Sequence, residues 1–130
     1  MDKIIIRRYG PRDKERLFAL IASEGTQWDC YNDVEDVYVK ALGNSITYAA
    51  FDGDHLCGYS RSVDDNGIYI YISDLLVEKR YRGRGIGQRL MEAVCRDYPR
   101  QTVYVLSDED EFYEKKGYGR EGSVFEVKLR

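Results

Sequence analysis

The sequence is poor in metal ligands: it has one histidine, His55, and three scattered cysteines, Cys30, Cys57 and Cys95, with no C-x-x-C pair. A zinc site needs several such ligands in a cluster, so no metal is expected. The odd cysteine count suits reduced thiols in a cytoplasm rather than a disulfide framework. No stretch approaches the ~20 apolar residues of a membrane helix. The apolar start at Ile4–Ile6 is too short, and too soon followed by charge, for a secretory signal, so neither membrane nor export is expected. Excess positive charge is also missing. A net charge of −3 and a pI near 5.2 do not describe a molecule built to coat nucleic acid. There are no internal repeats, no low-complexity run and no linker. The 130 residues can bury one core but not two, so a single domain over residues 1–130 is expected.

What is present is a regular alternation of elements. Residues 3–9 read as a strand. Pro11 opens a helix with Leu17, Leu20 and Ile21 at helical spacing, and Gly25 lies beyond its end. A second helix over residues 32–44 has Asn32 or Asp33 as its cap, Val34, Val37, Tyr38 and Ala41 along one side, and Gly43 as its stop. Two hairpins follow, turning at residues 52–54 and 64–67. The last of their strands loses its alternation at Leu75-Leu76-Val77, as if both faces became buried. Ile86, Leu90, Ala93, Val94 and Tyr98 then share a helical face that Pro99 ends. A short strand at 102–107, a short helix ending at Gly117 and a last strand at 122–129 complete the chain. A strand, crossover helix and strand (68–77, 85–98, 102–107) predict a parallel pair within a mostly antiparallel α/β mixed sheet.

The segment between the long strand and its crossover helix stands out. In this acidic chain, Glu78–Leu90 gathers Lys79, Arg80, Arg82, Arg84 and Arg89 around Gly83, Gly85 and Gly87. A glycine-rich helix start offers unpaired N–H groups at a positive dipole end, with no Cβ to keep an anion away. Arginines add forked donors. The chemistry fits a pyrophosphate cradle; a tight turn with a solvated basic rim fits equally well. Two common cradles are excluded, since neither G-x-x-x-x-G-K-[ST] nor G-x-G-x-x-G is present.

The run "RGRGIG", Arg82 to Gly87, fits the [Q/R]-x-x-G-x-[G/A] signature of the GNAT superfamily of N-acetyltransferases. Its flanks resemble that family's central strand, loop and helix, and "FYEKKGY", Phe112 to Tyr118, is similar to the family's F-Y-x-x-x-G-[F/Y] helix ending. The resemblance implies a mostly antiparallel sheet whose central parallel pair splays apart, with flanking helices. It implies acetyl-CoA as cosubstrate, its pantetheine arm paired with the backbone of Leu75 and Val77. Its diphosphate would rest on Gly83, Arg84, Gly85, Ile86 and Gly87, with Arg82. The implied reaction is direct acetyl transfer to a primary amine of a small molecule. A peptide or protein amine, or a catalytically silent acetyl-CoA-binding module, is the alternative. Small members of the family commonly pair, which leaves a homodimer open. An RNA-binding loop is disfavoured by the acidic chain and by the helix that starts directly after the glycines.

The resemblance also assigns roles. Tyr113 takes the position of the acid that protonates the departing thiolate; without the motif it would read as one structural tyrosine among twelve. Asp74, an acid inside an apolar strand, is the candidate base or substrate-orienting group, against the plainer reading of a carboxylate held by backbone or arginine bonds. A water relay would replace it. Where the family often has an Asn, six residues before Phe112, this chain has Leu106, and Ser107 is the candidate substitute for that contact to coenzyme A. His55 and Cys57 lack the third partner that a nucleophilic pair needs. Trp28 and Tyr31 sit where the family shapes its acceptor pocket, and Glu24, Asp29, Asp33, Glu35 and Asp36 make that segment acidic, as suits a cationic amine.

Overall fold

The computed structural model describes residues 3–25, 31 and 34–130. The expected caps Asn32 and Asp33, and Trp28, Asp29 and Cys30, lie outside the described residues. Five strands form one sheet in the order β1-β2-β3-β4-β5: β1 (Ile4–Arg8), β2 (Ile46–Asp52), β3 (His55–Asp64), β4 (Tyr69–Val77) and β5 (Thr102–Val105). The first four pair antiparallel, and β4 pairs with β5 in parallel, as the crossover predicts.

Helices α1 (Lys14–Glu24) and α2 (Glu35–Asn44) cover one face. There Leu17, Phe18, Leu20, Ile21, Tyr38 and Leu42 pack on Ala49, Phe51, Leu56, Tyr59 and Leu76. Helix α3 (Ile86–Asp97) covers the other face and buries Ile86, Leu90, Met91, Ala93 and Val94 against Ile46, Tyr48, Ile70 and Ile72. A short helix, α4 (Asp110–Glu114), follows β5 and adds Tyr113 to that second core.

The buried side of α2 differs from the expected one. Val34 and Val37 are exposed, and Tyr38 and Leu42 face the core. The rotation is set by the Tyr38 hydroxyl, which donates to Asp74 on β4. Gly43 does not stop the helix, which runs on to Asn44.

One irregularity shapes everything downstream. Arg61 pairs with Asp74, but Ser62 pairs with Ile72, so Ser73 is an extra residue in β4. A bulge of this kind shifts the alternation of a strand by one place. Before it, Ile70 and Ile72 face α3; after it, Leu75 and Val77 face α3, while Asp74 and Leu76 lie beneath α1 and α2. The loss of alternation at Leu75-Leu76-Val77 is therefore real, and Leu76 is buried between half-buried neighbours.

The final strand expected over residues 122–129 does not form. Residues 118–130 carry no regular structure, and Val124, Phe125, Val127 and Leu129 are 75–102% exposed. A strand is stable only when it has a neighbour to complete its hydrogen bonds, and this segment lies against none.

Candidate active site

The parallel pairing of β4 with β5 is brief. It runs from Tyr69–Thr102 to Ile72–Val105, and its last rung is the Leu106 N–H donating to the Ile72 carbonyl at 3.0 Å. Beyond that rung β5 turns away while β4 continues for five more residues, Ser73–Val77. The Glu78 N–H donates to the Cys57 carbonyl of β3 at 2.8 Å. By alternation, Leu75 and Val77 turn their backbone groups the other way, into the space that β5 has vacated.

The start of α3 closes the far end of this space. Gly83 and Gly85 have φ of 81° and 78°, the left-handed region, and a Cβ at either position would meet nothing within 4 Å. These glycines serve a backbone path and leave open room outside it. The Gly85 carbonyl accepts from the Arg89 N–H at 3.0 Å, so the helix begins there. The N–H groups of Ile86, Gly87 and Gln88 fall in the first turn, where no helical acceptor exists. The first turns of α1, α2 and α4 carry Glu15, Glu35 with Asp36, and Asp110 with Glu111; that of α3 carries no acid. Its positive end therefore has no acidic side chain of its own first turn to offset it. A Cβ on Gly87 would sit 3.6 Å from Phe112, 3.8 Å from Val77 and 3.9 Å from Leu75. Residues of the β4 edge, the start of α3 and the FY helix thus meet around Gly87.

Tyr113, on α4, packs against the α3-side core. Burial, with the nearby carboxylates of Asp108 and Glu109, pushes its phenol up to about 12. It remains a proton donor throughout the neutral range. Ser107 lies in the turn ahead of α4: its hydroxyl donates to Asp110 at 2.8 Å and accepts from the Glu109 N–H at 3.1 Å. Arg82 is tied back. Its Nε donates to the Val77 carbonyl at 2.9 Å, and its guanidinium pairs with Glu24 at the end of α1. The Arg84 guanidinium lies over the Tyr81 ring, 5.0 Å from its centroid.

Asp74 is on the opposite face of β4, buried and fully engaged. Arg61 Nε and the Tyr38 hydroxyl donate to Oδ2, each at 2.7 Å, and the Tyr31 hydroxyl donates to Oδ1 at 2.7 Å. Tyr38 has one proton and gives it to Asp74, so in the 2.7 Å contact between the two hydroxyls Tyr59 is the donor. The rings of Tyr31 and Tyr38 stack at 4.1 Å. The arrangement is that of a carboxylate held by arginine and tyrosine bonds. Of the residues that hold it, Arg61 and Tyr38 were missed as site residues, and Tyr31 was expected at the acceptor pocket but not as a partner of Asp74. The signal was the β3–β4 register that sets Arg61 opposite Asp74, and that register depends on an extra residue no motif announces.

His55 and Cys57 have separate partners. His55 contacts Glu78 at 2.5 Å, and the Cys57 thiol donates to the Ala50 carbonyl. Burial pushes that thiol up to about 11, so it is no nucleophile at neutral pH. Of the acids near the acceptor segment, Glu24 is paired with Arg82, and Glu35 lies 3.5 Å from Lys14. Among the described residues no group of three potential metal ligands occurs, and no helix is long and apolar enough to cross a membrane.

Residues 43–120 match the family model described as the acetyltransferase (GNAT) domain. No curated protein matches the sequence. Among solved structures, a GNAT-family acetyltransferase of Streptococcus pneumoniae is 24% identical, with a TM-score of 0.75 over 97% of this chain and 99% of that one. A ribosomal-protein-alanine N-acetyltransferase of Brucella melitensis is 17% identical, with a TM-score of 0.71 over 97% and 99%. An aminoglycoside acetyltransferase from an uncultured soil metagenomic sample is 19% identical, with a TM-score of 0.71 over 98% and 97%. At these identities the likeness is one of fold.

Proposed function

This chain belongs to the GNAT acetyltransferase family, and from that premise we propose that it moves an acetyl group from acetyl-CoA directly to a primary amine of a small molecule. The observation that carries the reading is the acid-free start of α3, with Gly83 and Gly85 in left-handed conformation, beside an unpaired β4 edge. Backbone N–H groups from Gly83 to Gly87 would hold the diphosphate, with Arg82 and Arg84 as the neighbouring positive charge. Leu75 and Val77 would lend backbone groups to the pantetheine arm, the Val77 carbonyl being shared with Arg82 Nε or released by it, and the Leu75 N–H would steady the thioester oxygen.

An alkylammonium, with an ordinary pKa near ~10.4, must lose a proton before it can attack. Asp74 serves here as an orienting group, since both of its oxygens already accept bonds. Water carries the amine's proton away. Tyr113 donates toward the sulfur as the C–S bond breaks. The full occupation of Asp74 also favours a second reading, a module that binds acetyl-CoA without turnover. One experiment separates them: free thiol released from acetyl-CoA across a panel of polyamines, aminoglycosides, amino acids and N-terminal peptides, run beside coenzyme calorimetry. Thiol release with a small amine supports the proposal, and release only with peptides moves the acceptor class. Tight binding with no release across the panel makes the chain a module. No binding at all removes the cleft.

A further inference from the structure

The glycine loop does not follow directly on β4. Between Val77 and the loop lie Glu78 and a 3-10 turn, Lys79–Tyr81. This segment is fastened to the tight turn that joins β2 to β3. Asp52 and His55 flank that turn and pair with each other in the sheet. Each of them holds one residue of the segment. The Tyr81 hydroxyl donates to Asp52 at 2.7 Å, and His55 Nε2 lies 2.5 Å from Glu78 Oε1. The Tyr81 N–H donates to the Glu78 carbonyl at 2.8 Å, so the two anchors are joined across the 3-10 turn. Tyr81 in turn supports the loop, since the Arg84 guanidinium lies 5.0 Å from its ring centroid.

The His55 contact has a definite direction. Burial pushes the Glu78 carboxyl up, but bonds from His55 and Arg80 outweigh it and hold the group below its usual value. An ionised carboxylate only accepts, so His55 donates its Nε2 proton. The other carboxylate oxygen accepts from Arg80 Nε at 2.5 Å. The Glu78 side chain is 18% exposed and that of His55 46%. The acceptor is therefore sheltered, while the donor ring exchanges protons with solvent. Around the imidazole stand Glu78 and Arg80, the Tyr81 ring at 5.8 Å, Asp54 of its own turn, and Arg16 of α1 across an open groove. A second proton on the ring turns a neutral hydrogen bond into a charge-assisted one.

We propose that His55 is a positioning residue for the coenzyme site: through Glu78 it fastens the start of the glycine loop to the β2–β3 turn, and its protonation tightens that hold. This rests on the coenzyme reading given above, in which neither His55 nor Glu78 touches the diphosphate. The two residues fix the path that Arg82, Gly83 and Arg84 follow. The Arg82 N–H, bonded to the Lys79 carbonyl at 3.3 Å, is where the hold reaches the loop. A loop kept in its binding shape before the ligand arrives loses less freedom on binding, so the hold is expressed as affinity. Coenzyme should therefore bind more tightly as His55 gains its second proton.

The test is calorimetry with dephospho-coenzyme A at about pH 6 and about pH 8, across the range in which histidine side chains change charge. It is run on the wild type, His55→Gln and His55→Ala, and amide exchange at Tyr81 and Arg82 is followed without ligand. Dephospho-coenzyme A lacks the 3′-phosphate, a monoester that itself titrates near pH ~6. Gln can donate to Glu78 but carries no titrating charge; Ala does neither. The wild type should bind ~5-fold more tightly at the lower pH. His55→Gln should match the wild type at the higher pH and show no gain at the lower. His55→Ala should bind more weakly than either at both, with faster exchange at Tyr81 and Arg82. A gain at the lower pH that persists in His55→Gln, or wild-type affinity in His55→Ala, would overturn the proposal. A wild type that binds no dephospho-coenzyme A would fall on the coenzyme reading instead. Faster exchange at Tyr81 and Arg82 in His55→Ala would then still establish the clasp, and unchanged exchange would remove it.

Discussion

The two faces of β4 beyond Ser73 solve opposite problems. On the α3 side the chain leaves backbone groups unanswered: the β4 edge lacks a neighbour, and α3 starts without a cap or an acid. On the α1–α2 side it answers every polar group of a buried carboxylate, with Arg61, Tyr38 and Tyr31 all donating to Asp74. The difference teaches which polar groups are meant for a ligand. An unanswered donor at the surface of a cleft is a binding group in waiting, whereas a buried charge must be satisfied by the protein itself because leaving it alone is too costly. That criterion supports the proposal in which the open face binds coenzyme and the closed face positions the acceptor.

The comparison breaks most visibly at the open face. Gly85→Glu puts an anion where a diphosphate oxygen belongs and an L side chain into left-handed backbone. Affinity for acetyl-CoA should fall beyond measurement in a folded protein, and dephospho-coenzyme A should lose about as much. Unchanged calorimetric binding of either would take this loop out of the site.

Tyr113→Phe removes only a hydroxyl. With its phenol pushed up to about 12 and a free thiol near ~8.5, complete proton transfer to a relaxed thiolate is strongly uphill. Under the proposed function the tyrosine would therefore act only while the sulfur's charge is unsolvated. The variant should lower kcat by ~10²–10⁴-fold, with coenzyme binding nearly unchanged and a smaller loss for donors with more acidic thiols. Wild-type kcat with chemistry rate-limiting would make Tyr113 structural.

At the closed face the effect should appear in stability first. Asp74→Ala strands Arg61, whose side chain is 16% exposed, and should cost about 3–5 kcal/mol in denaturant unfolding. Adding Arg61→Met should recover most of that loss. Destabilisation by the double variant equal to that of Asp74→Ala alone would mean that the pair is not the origin of the cost.

The smallest effect sharpens the same contrast. Burial, with Asp74 alongside, raises the phenols of Tyr38 and Tyr59 above their ordinary value. A group whose folded pKa lies above its unfolded one contributes stability that is complete below the unfolded pKa, ~10 for tyrosine, and is lost as pH rises beyond it. Denaturant midpoints should therefore hold steady up to about pH 9.5 and fall above ~10. Phenolate absorbance at 295 nm from these two rings should appear only with unfolding. Their ionisation in the native state would show that this face is open to water.

Much of the open face was legible in the sequence because its instructions are local. Gly83, Gly85 and Gly87 mark a loop by composition, α3 declares its buried stripe by spacing, and Phe112–Tyr118 carries its own helix ending. The closed face was not legible, because its bonds join α2, β3 and β4 through side chains up to 43 residues apart, such as Tyr31 and Asp74. Arg82 shows the same limit: the motif identifies it, but nothing near it in sequence foretells Glu24, 58 residues away. The tail was misread for a related reason. Alternation reports a preference for a strand, and the partner has to be supplied by something outside the segment.

Ser73 carries a consequence of a different kind. The bulge takes up one residue, so what lies on either face of β4 is set by its register with β3. Substituting Ser73 by any side chain the bulge tolerates leaves that register intact, so a scan of point substitutions would pass over the position. Removing the residue would join Ile72 to Asp74 in regular alternation, so Leu75 and Val77 would still face α3, Asp74 and Leu76 would still lie beneath α1 and α2, and only the local bend of the bulge would go. In this fold a codon lost at Ser73 is absorbed, whereas one lost at Leu75 would turn Leu76 toward α3 and Val77 toward α1 and α2.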